Sequence, residues 1–313
     1  MHVAKGVTRV FREMPRLVAV ESCVFGEGTL PRLLVLTMSC PDRIGIVAGV
    51  TRFLAEHGGW IVEANYHADQ KDGWFFMRQA ILADSFRLSV PDFGSRFSSI
   101  AEQFGISWKL SDTQYKKRLV LCVSRQDHCL SDLFHRWKTP EAGFDIVAVF
   151  SNHEDLRPFV EWHEVPFRHV PVAPGNDDPA FEEMARLYEC YRGESMVLAR
   201  YMRILPPWFC QRFEGQILNI HHSFLPSFVG ARPYHQAYER GVKLIGATCH
   251  YVTGDLDAGP IIEQDVIRVD HGDSPEEMAR LGRDIERIVL ARGVQYHVED
   301  RVLIHGSKTI VFR

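Results

Sequence analysis

Asn219, His221 and Asp257 are the residues whose types and spacing suit acyl chemistry. They supply an amide, an imidazole and a carboxylate. Attack on a carbonyl creates a tetrahedral oxyanion. Asn219 Nδ2 and a protonated His221 can donate hydrogen bonds to that oxygen. Asp257 can hold the His221 imidazolium and accept a proton from an attacking water. The set needs neither a metal nor a covalent nucleophile. Asn219 and His221 stand at i and i+2 of an extended segment, so their side chains share a face. Asp257 sits in the Gly/Pro-flanked stretch Asp255-Leu-Asp257-Ala-Gly-Pro260. Taken singly, an Asn-x-His pair is more often structural, and an Asp in Asp-x-Asp-x-Gly is usually a turn former.

The histidines around this set raise two further questions. His250 closes the strand that precedes Asp257 and is expected to face the same mouth. His222, next to His221, is expected on the opposite face in a structural role. Zinc requires three or four ligands at recognisable spacing. No cysteine or carboxylate accompanies the tandem histidines in such a pattern, so no metal site is expected.

The elements that must position these residues begin at Leu119. Strands are expected at 119–124, 146–151, 168–172, 196–199 and 217–221, with helices near 129–138, 153–163, 178–192 and 206–213. Such alternation predicts a parallel, doubly wound sheet, whose ligands lie beyond the carboxyl ends of its strands. Asn219 and His221 fall at one of those ends. Strands at 244–252 and 260–269, a long helix at 274–295 and a hairpin across His305-Gly306 complete this unit of residues 118–313.

Residues 32–114 read as a smaller module. The apolar run Arg32–Ser39 is a strand. Ile44, Val47, Val50 and Leu54 then recur at helical spacing, and Gly58-Gly59 ends the segment. Two strands, 60–68 and 73–83, flank the Asp69–Asp72 turn. A helix near 91–104 and a strand at 106–110 follow, giving the ferredoxin-like order βαββαβ.

These segments carry resemblances. Cys40-Pro41-Asp42-Arg43-Ile44-Gly45 after a strand, with Asn65 in the second strand, resembles ACT domains. That likeness implies pairing with a second subunit and a small ligand, usually an amino acid, at the interface. Asn219-Ile-His-His-Ser-Phe-Leu-Pro-Ser-Phe and Leu256-Asp-Ala-Gly-Pro-Ile-Ile262 resemble the folate-dependent formyltransferases. The resemblance implies that Asn219, His221 and Asp257 are catalytic and that Ala199–Leu205 lines a folate site. Met202, Ile204 and Leu205 would then surround the pterin, Arg203 would lie near the glutamate tail, and His250 would orient the site or the substrate.

Two features separate transfer from hydrolysis. The first strand of this unit leads into Ser124-Arg-Gln-Asp127-His128-Cys129-Leu130, which has no glycine to cradle a phosphate and an aspartate to repel one. A basic domain after the hairpin is not expected. An ACT-like module ahead of such a domain, with Lys243-Leu-Ile-Gly-Ala-Thr248, resembles the formyltetrahydrofolate deformylases. That resemblance implies hydrolysis of 10-formyltetrahydrofolate to tetrahydrofolate and formate, with the folate as substrate and no cofactor. The alternatives are a formyltransferase using an unidentified amine, and a folate- or amino-acid-binding sensor without catalysis.

Composition sets the outer bounds. With 313 residues the chain is long enough for two domains. Its net charge of -4 argues against nucleic-acid binding. The odd count of seven cysteines, none in a Cys-x-x-Cys pair, fits unpaired thiols in a reducing cytoplasm. No apolar run is long enough to span a bilayer. The first 17 residues carry Lys5, Arg9, Arg12 and Arg16 but no serine and a single threonine, so residues 1–31 read as an N-terminal extension, or as a start codon assigned too early, rather than a transit peptide.

Overall fold

Two large sheets and a terminal hairpin organise the computed structural model, which describes residues 31–172, 177–227 and 233–313. Residues 1–30, 173–176 and 228–232 lie outside the described residues, and the expected N-terminal extension falls almost wholly among them.

The first sheet is built from β1 (Leu33–Pro41), α1 (Ile46–Glu56), β2 (Trp60–Asp69), β3 (Trp74–Leu82), α2 (Val90–Phe104) and β4 (Ser107–Asp112). Its strand order is β2-β3-β1-β4 with every neighbour antiparallel, the expected ferredoxin-like arrangement. Ser89 caps α2 by accepting from the Asp92 amide, and Gly105 ends it in the left-handed conformation. The helices and the sheet enclose one apolar core that includes Leu36, Met38, Phe53, Phe93 and Phe97.

The face of α1 differs from the expected stripe. Gly45 has φ 97°, so the helix starts only at Ile46. Ile44 precedes it and is fully exposed, Val47 is also exposed, and the buried face is Ile46, Val50, Phe53 and Leu54. A left-handed glycine at the helix start shifted the face by a fraction of a turn.

The second sheet begins with β5 (Lys117–Val123), α3 (His128–Trp137), β6 (Phe144–Ser151), α4 (Arg157–Trp162), β7 (Phe167–His169) and α5 (Asp178–Cys190). It continues through β8 (Ser195–Leu198), α6 (Pro207–Arg212), β9 (Ile217–His221), α7 (Pro233–Arg240), β10 (Leu244–Tyr251), β11 (Ile261–Arg268) and α8 (Pro275–Val298). The strand order is β11-β10-β9-β8-β5-β6-β7. From β9 to β7 all neighbours are parallel, whereas β10 is antiparallel to both β9 and β11. The sheet is thus mostly parallel and doubly wound, with an antiparallel edge. One apolar core lies under α3 and α8. A second lies under α5 and α6, and a small third joins α7 to β10 and α8 through Tyr234, Ala237, Ile245 and Met278.

Three differences from the sequence reading concern edges. β7 is an outer strand of three residues rather than the expected 168–172. α4 is shorter than 153–163. α7 was not anticipated, because Pro233-Tyr-His-Gln-Ala-Tyr-Glu-Arg240 offers little apolar periodicity. β12 (Val302–His305) and β13 (Lys308–Val311) form the closing hairpin.

The two sheets meet through charged groups. Arg78 of β3 is 4% exposed, pairs with Glu63 at 2.9 Å, and donates to the carbonyls of Glu299 and Asp300 just past α8. Lys109 and Lys117 both reach Asp300 Oδ1, at 2.9 and 2.6 Å. Among the described residues, no helix is long and apolar enough to cross a membrane. Cys40, Cys122, Cys129, Cys210 and Cys249 are buried free thiols, and Cys190 is an exposed one.

Candidate active site

β9 carries Asn219 and His221 to the carboxyl end of the parallel sheet. Its register with β10 sets His250 opposite Asn219 and Thr248 opposite His221. The loop after β10 then folds back over the strand end. Gly259 permits this approach, since a Cβ there would stand 1.8 Å from the Tyr251 carbonyl oxygen. Asp257 takes φ 54°, a left-handed conformation that aspartate tolerates better than most residues. As a result His221 Nδ1 lies 3.2 Å from Asp257 Oδ1, and His250 Nε2 lies 3.9 Å from the same oxygen. The three residues expected to act together are therefore in one place.

Hydrogen bonds fix the orientation of this group. His250 Nδ1 is 2.8 Å from the Tyr251 carbonyl, which can only accept, so Nδ1 carries the proton. Burial lowers the His250 pKa and keeps the ring neutral. Nε2 must then accept, and its partner at 3.2 Å is Asn219 Nδ2. This assigns the Asn219 amide: the nitrogen faces His250, with its second N–H uncommitted among the described residues. Burial alone would raise the Asp257 pKa, but the hydrogen bond from His221 and the nearby imidazoles outweigh it and hold the carboxyl below its ordinary value. His221 Nε2 is buried with no hydrogen-bond partner among the described residues. An orphaned polar atom of that kind costs free energy unless a ligand satisfies it.

These side chains line a cleft of about 510 Å³. The opposite wall is the 200–205 segment, with Met202, Arg203, Ile204 and Leu205. Ser124, at the end of β5, anchors it by accepting from the Met202 amide at 2.9 Å while donating to Asn152 Oδ1. Met202 is 56% and Ile204 67% exposed, unusual for apolar side chains in a cavity wall. Leu205 belongs to the core and presents an edge to the cleft. Arg203 holds Asp177 only loosely, at 3.3 Å. His222 lies past the end of β9, where strand alternation no longer applies; it lines the cleft as well as the cavity behind it.

Sequence reasoning missed the buried cluster behind His222. Glu286, 1% exposed on α8, accepts from Tyr234 Oη at 2.6 Å and from His128 Nε2 at 2.8 Å, with Arg200 Nε at 3.4 Å. A glutamate on the face of α8 that buries Met278, Ile285 and Val289 was the available signal. His128, Cys129 and Glu286 bring potential ligand atoms within 4.8 Å of one another. Both Glu286 oxygens are already engaged, and a guanidinium adjoins them, which is unfavourable for a cation.

Known proteins resemble this chain over most of its length. The Formyl transferase family profile matches residues 117–294. The formyltetrahydrofolate deformylase of Bacillus subtilis is 48% identical over 278 residues, covering 88% of this chain and 93% of the relative. The crystal structure of a formyltetrahydrofolate deformylase from Pseudomonas syringae pv. tomato superposes with a TM-score of 0.90 at 57% identity, over 92% of this chain and 96% of that one. A phosphoribosylglycinamide formyltransferase from Anaplasma phagocytophilum also superposes, with a TM-score of 0.59 at 29% identity, over 63% of this chain and 93% of that one. The transferase likeness leaves over a third of the chain unmatched, whereas the deformylase likeness runs through both sheets; the chain belongs to the formyltetrahydrofolate deformylase family.

Proposed function

We propose that the chain hydrolyses 10-formyltetrahydrofolate to tetrahydrofolate and formate. The observation that carries this reading is the orphaned Nε2 of His221 beside the uncommitted N–H of Asn219, in a cleft that also holds Asp257. Water attacks the formyl carbon. Asp257 accepts a proton from it through Oδ2, which has no hydrogen-bond partner among the described residues. The developing oxyanion receives hydrogen bonds from Asn219 Nδ2 and from Nε2 of protonated His221, whose Nδ1 is held by Asp257. Collapse of the adduct breaks the C–N10 bond. A proton reaches N10 through His221, and formate leaves. His250 acts as a positioning residue, since it fixes which end of the Asn219 amide faces the substrate.

Met202, Ile204 and Leu205 suit the flat pterin, and the loosely held Arg203 is the group for the glutamate carboxylate. The test is acceptor-free incubation with 10-formyltetrahydrofolate. Formate and tetrahydrofolate should appear in equal amounts with no amine present. A strict requirement for an amine would replace hydrolysis by transfer.

We further propose that residues 32–114 form an ACT-type regulatory domain, separate from the catalytic domain at 118–313. It pairs with a second copy and takes a small amino-acid ligand at the interface. Strand β2 supports this: it is an outer strand with Trp60, Val62 and Tyr66 exposed along it, and unpaired edges invite pairing with another chain.

A further inference from the structure

A second cavity of about 210 Å³ adjoins the cleft, and Arg200 and His222 line both. Arg200 is the central group. It is 8% exposed and adopts φ 66°, a conformation costly for a side chain of its kind. Its Nε is tied to Gln126 Oε1 at 2.9 Å and lies near Glu286. Neither terminal nitrogen has a hydrogen-bond partner among the described residues. A guanidinium offers five donors in a fixed fork, so most of the capacity of this buried cation is unspent.

The rest of the lining favours an anion. Arg283 supplies a second guanidinium, and Gln126 an amide nitrogen with no partner among the described residues. Among the described residues of the lining, Glu286 is the one carboxylate, and both its oxygens are taken by Tyr234, His128 and Arg200. His222 adds no charge at neutral pH, because burial and the neighbouring Arg200 push its pKa down to about 3. Two guanidiniums therefore face one carboxylate already in use. The volume suits a ligand of a few atoms together with water.

We propose that this side cavity is a subsite for a small carboxylate, and that its occupant in turnover is the formate released in the cleft; the second clause rests on the deformylase reading. A planar carboxylate matches the fork of Arg200. Arg200 belongs to the partition between the two cavities, so it can take formate from the reacting centre and hold it clear of His221.

Titration of the full chain, free of folate, with ¹³C-labelled sodium formate followed by NMR line broadening tests the subsite. Saturable binding should appear and should survive sodium chloride at matched ionic strength. Arg283→Ala, a change on the exposed face of α8, should weaken it roughly tenfold. Arg200→Gln should weaken it at least as much. Absence of saturable binding, equal displacement by chloride, or unchanged affinity in Arg283→Ala would overturn the proposal. The deformylase reading fails separately. A chain that binds formate through Arg283 yet releases none from 10-formyltetrahydrofolate keeps the subsite and loses its occupant in turnover. One that releases formate but binds none keeps the activity and loses the subsite.

Discussion

In the proposed mechanism three side chains divide the work at the reacting carbon, and their individual losses should be distinguishable. Asp257→Asn keeps the size and the left-handed backbone of the residue but removes the proton acceptor. Turnover should fall by roughly 10²–10⁴-fold, with folding and folate binding preserved. Activity within a factor of about three of the wild type would make Asp257 a turn residue only. The same carboxyl sets the acid limb of the pH profile. Its pKa is held below the ordinary value, so loss of activity through protonation of Asp257 should come only below the ordinary carboxylate range. Asn219→Ala should lower kcat by roughly 10²–10³-fold with a small change in KM, as befits a donor used in the transition state. His250→Ala should cost less, because its contribution passes through the Asn219 amide. The double variant should be little worse than Asn219→Ala alone. Additive losses would show that His250 touches the substrate independently.

The elements around the site show where charge replaces packing. The segment after α8 has Asp300 at φ 52°, mostly buried, between Lys117 and Lys109. Burial raises its pKa, but the two ammonium groups outweigh that and hold it below the ordinary range. The folded pKa lies below the unfolded one. The stabilisation is therefore present above the unfolded value and lost as the pH falls through the folded value. Asp300→Asn retains the backbone conformation but leaves the largely buried Lys117 without a counter-charge; it should cost about 3 kcal/mol in chemical unfolding and flatten the acid side of the stability profile. An unchanged denaturation midpoint would place this pair among the many that contribute nothing. The same contrast explains what the sequence made legible. Strands β5, β6, β8, β9 and β10 are continuous apolar runs, and periodicity found them within a residue or two. Asn219, His221 and Asp257 were legible because they fall at a strand end and in a glycine-flanked loop. The start of α1 was missed because Gly45 turns the chain just before it. α7 was missed because its helical stripe is polar. The Arg200–Glu286–Tyr234–His128 cluster was missed because its members come from four separate segments that only the tertiary fold unites.

At the scale of the whole molecule, the apolar cores do not mix. The core of the first sheet draws on residues from Leu34 to Ile106, and the three cores of the second draw on residues from Leu119 to Val298. What joins them is polar or aromatic: Arg78 on the carbonyls past α8, Lys109 on Asp300, and Trp74 stacked on His305. The Lys117–Asp300 pair lies entirely on the catalytic side and survives if the first sheet is removed. A chain beginning near Lys116 should therefore fold, with far-UV dichroism and cooperative unfolding preserved. It should lose self-association, because the exposed edge of β2 goes with the deleted part. Val62→Lys in the full chain should reproduce that loss without any deletion, since a charge on an outer strand opposes pairing with a second edge. Any response of activity to free amino acids should disappear in the truncated chain, because coupling needs two sites and an element that both bias. Sedimentation of the three chains, with activity measured across an amino-acid panel, decides the matter. A truncated chain that sediments as the full-length oligomer, or that still answers to an amino acid, would move both assembly and regulation to the catalytic sheet.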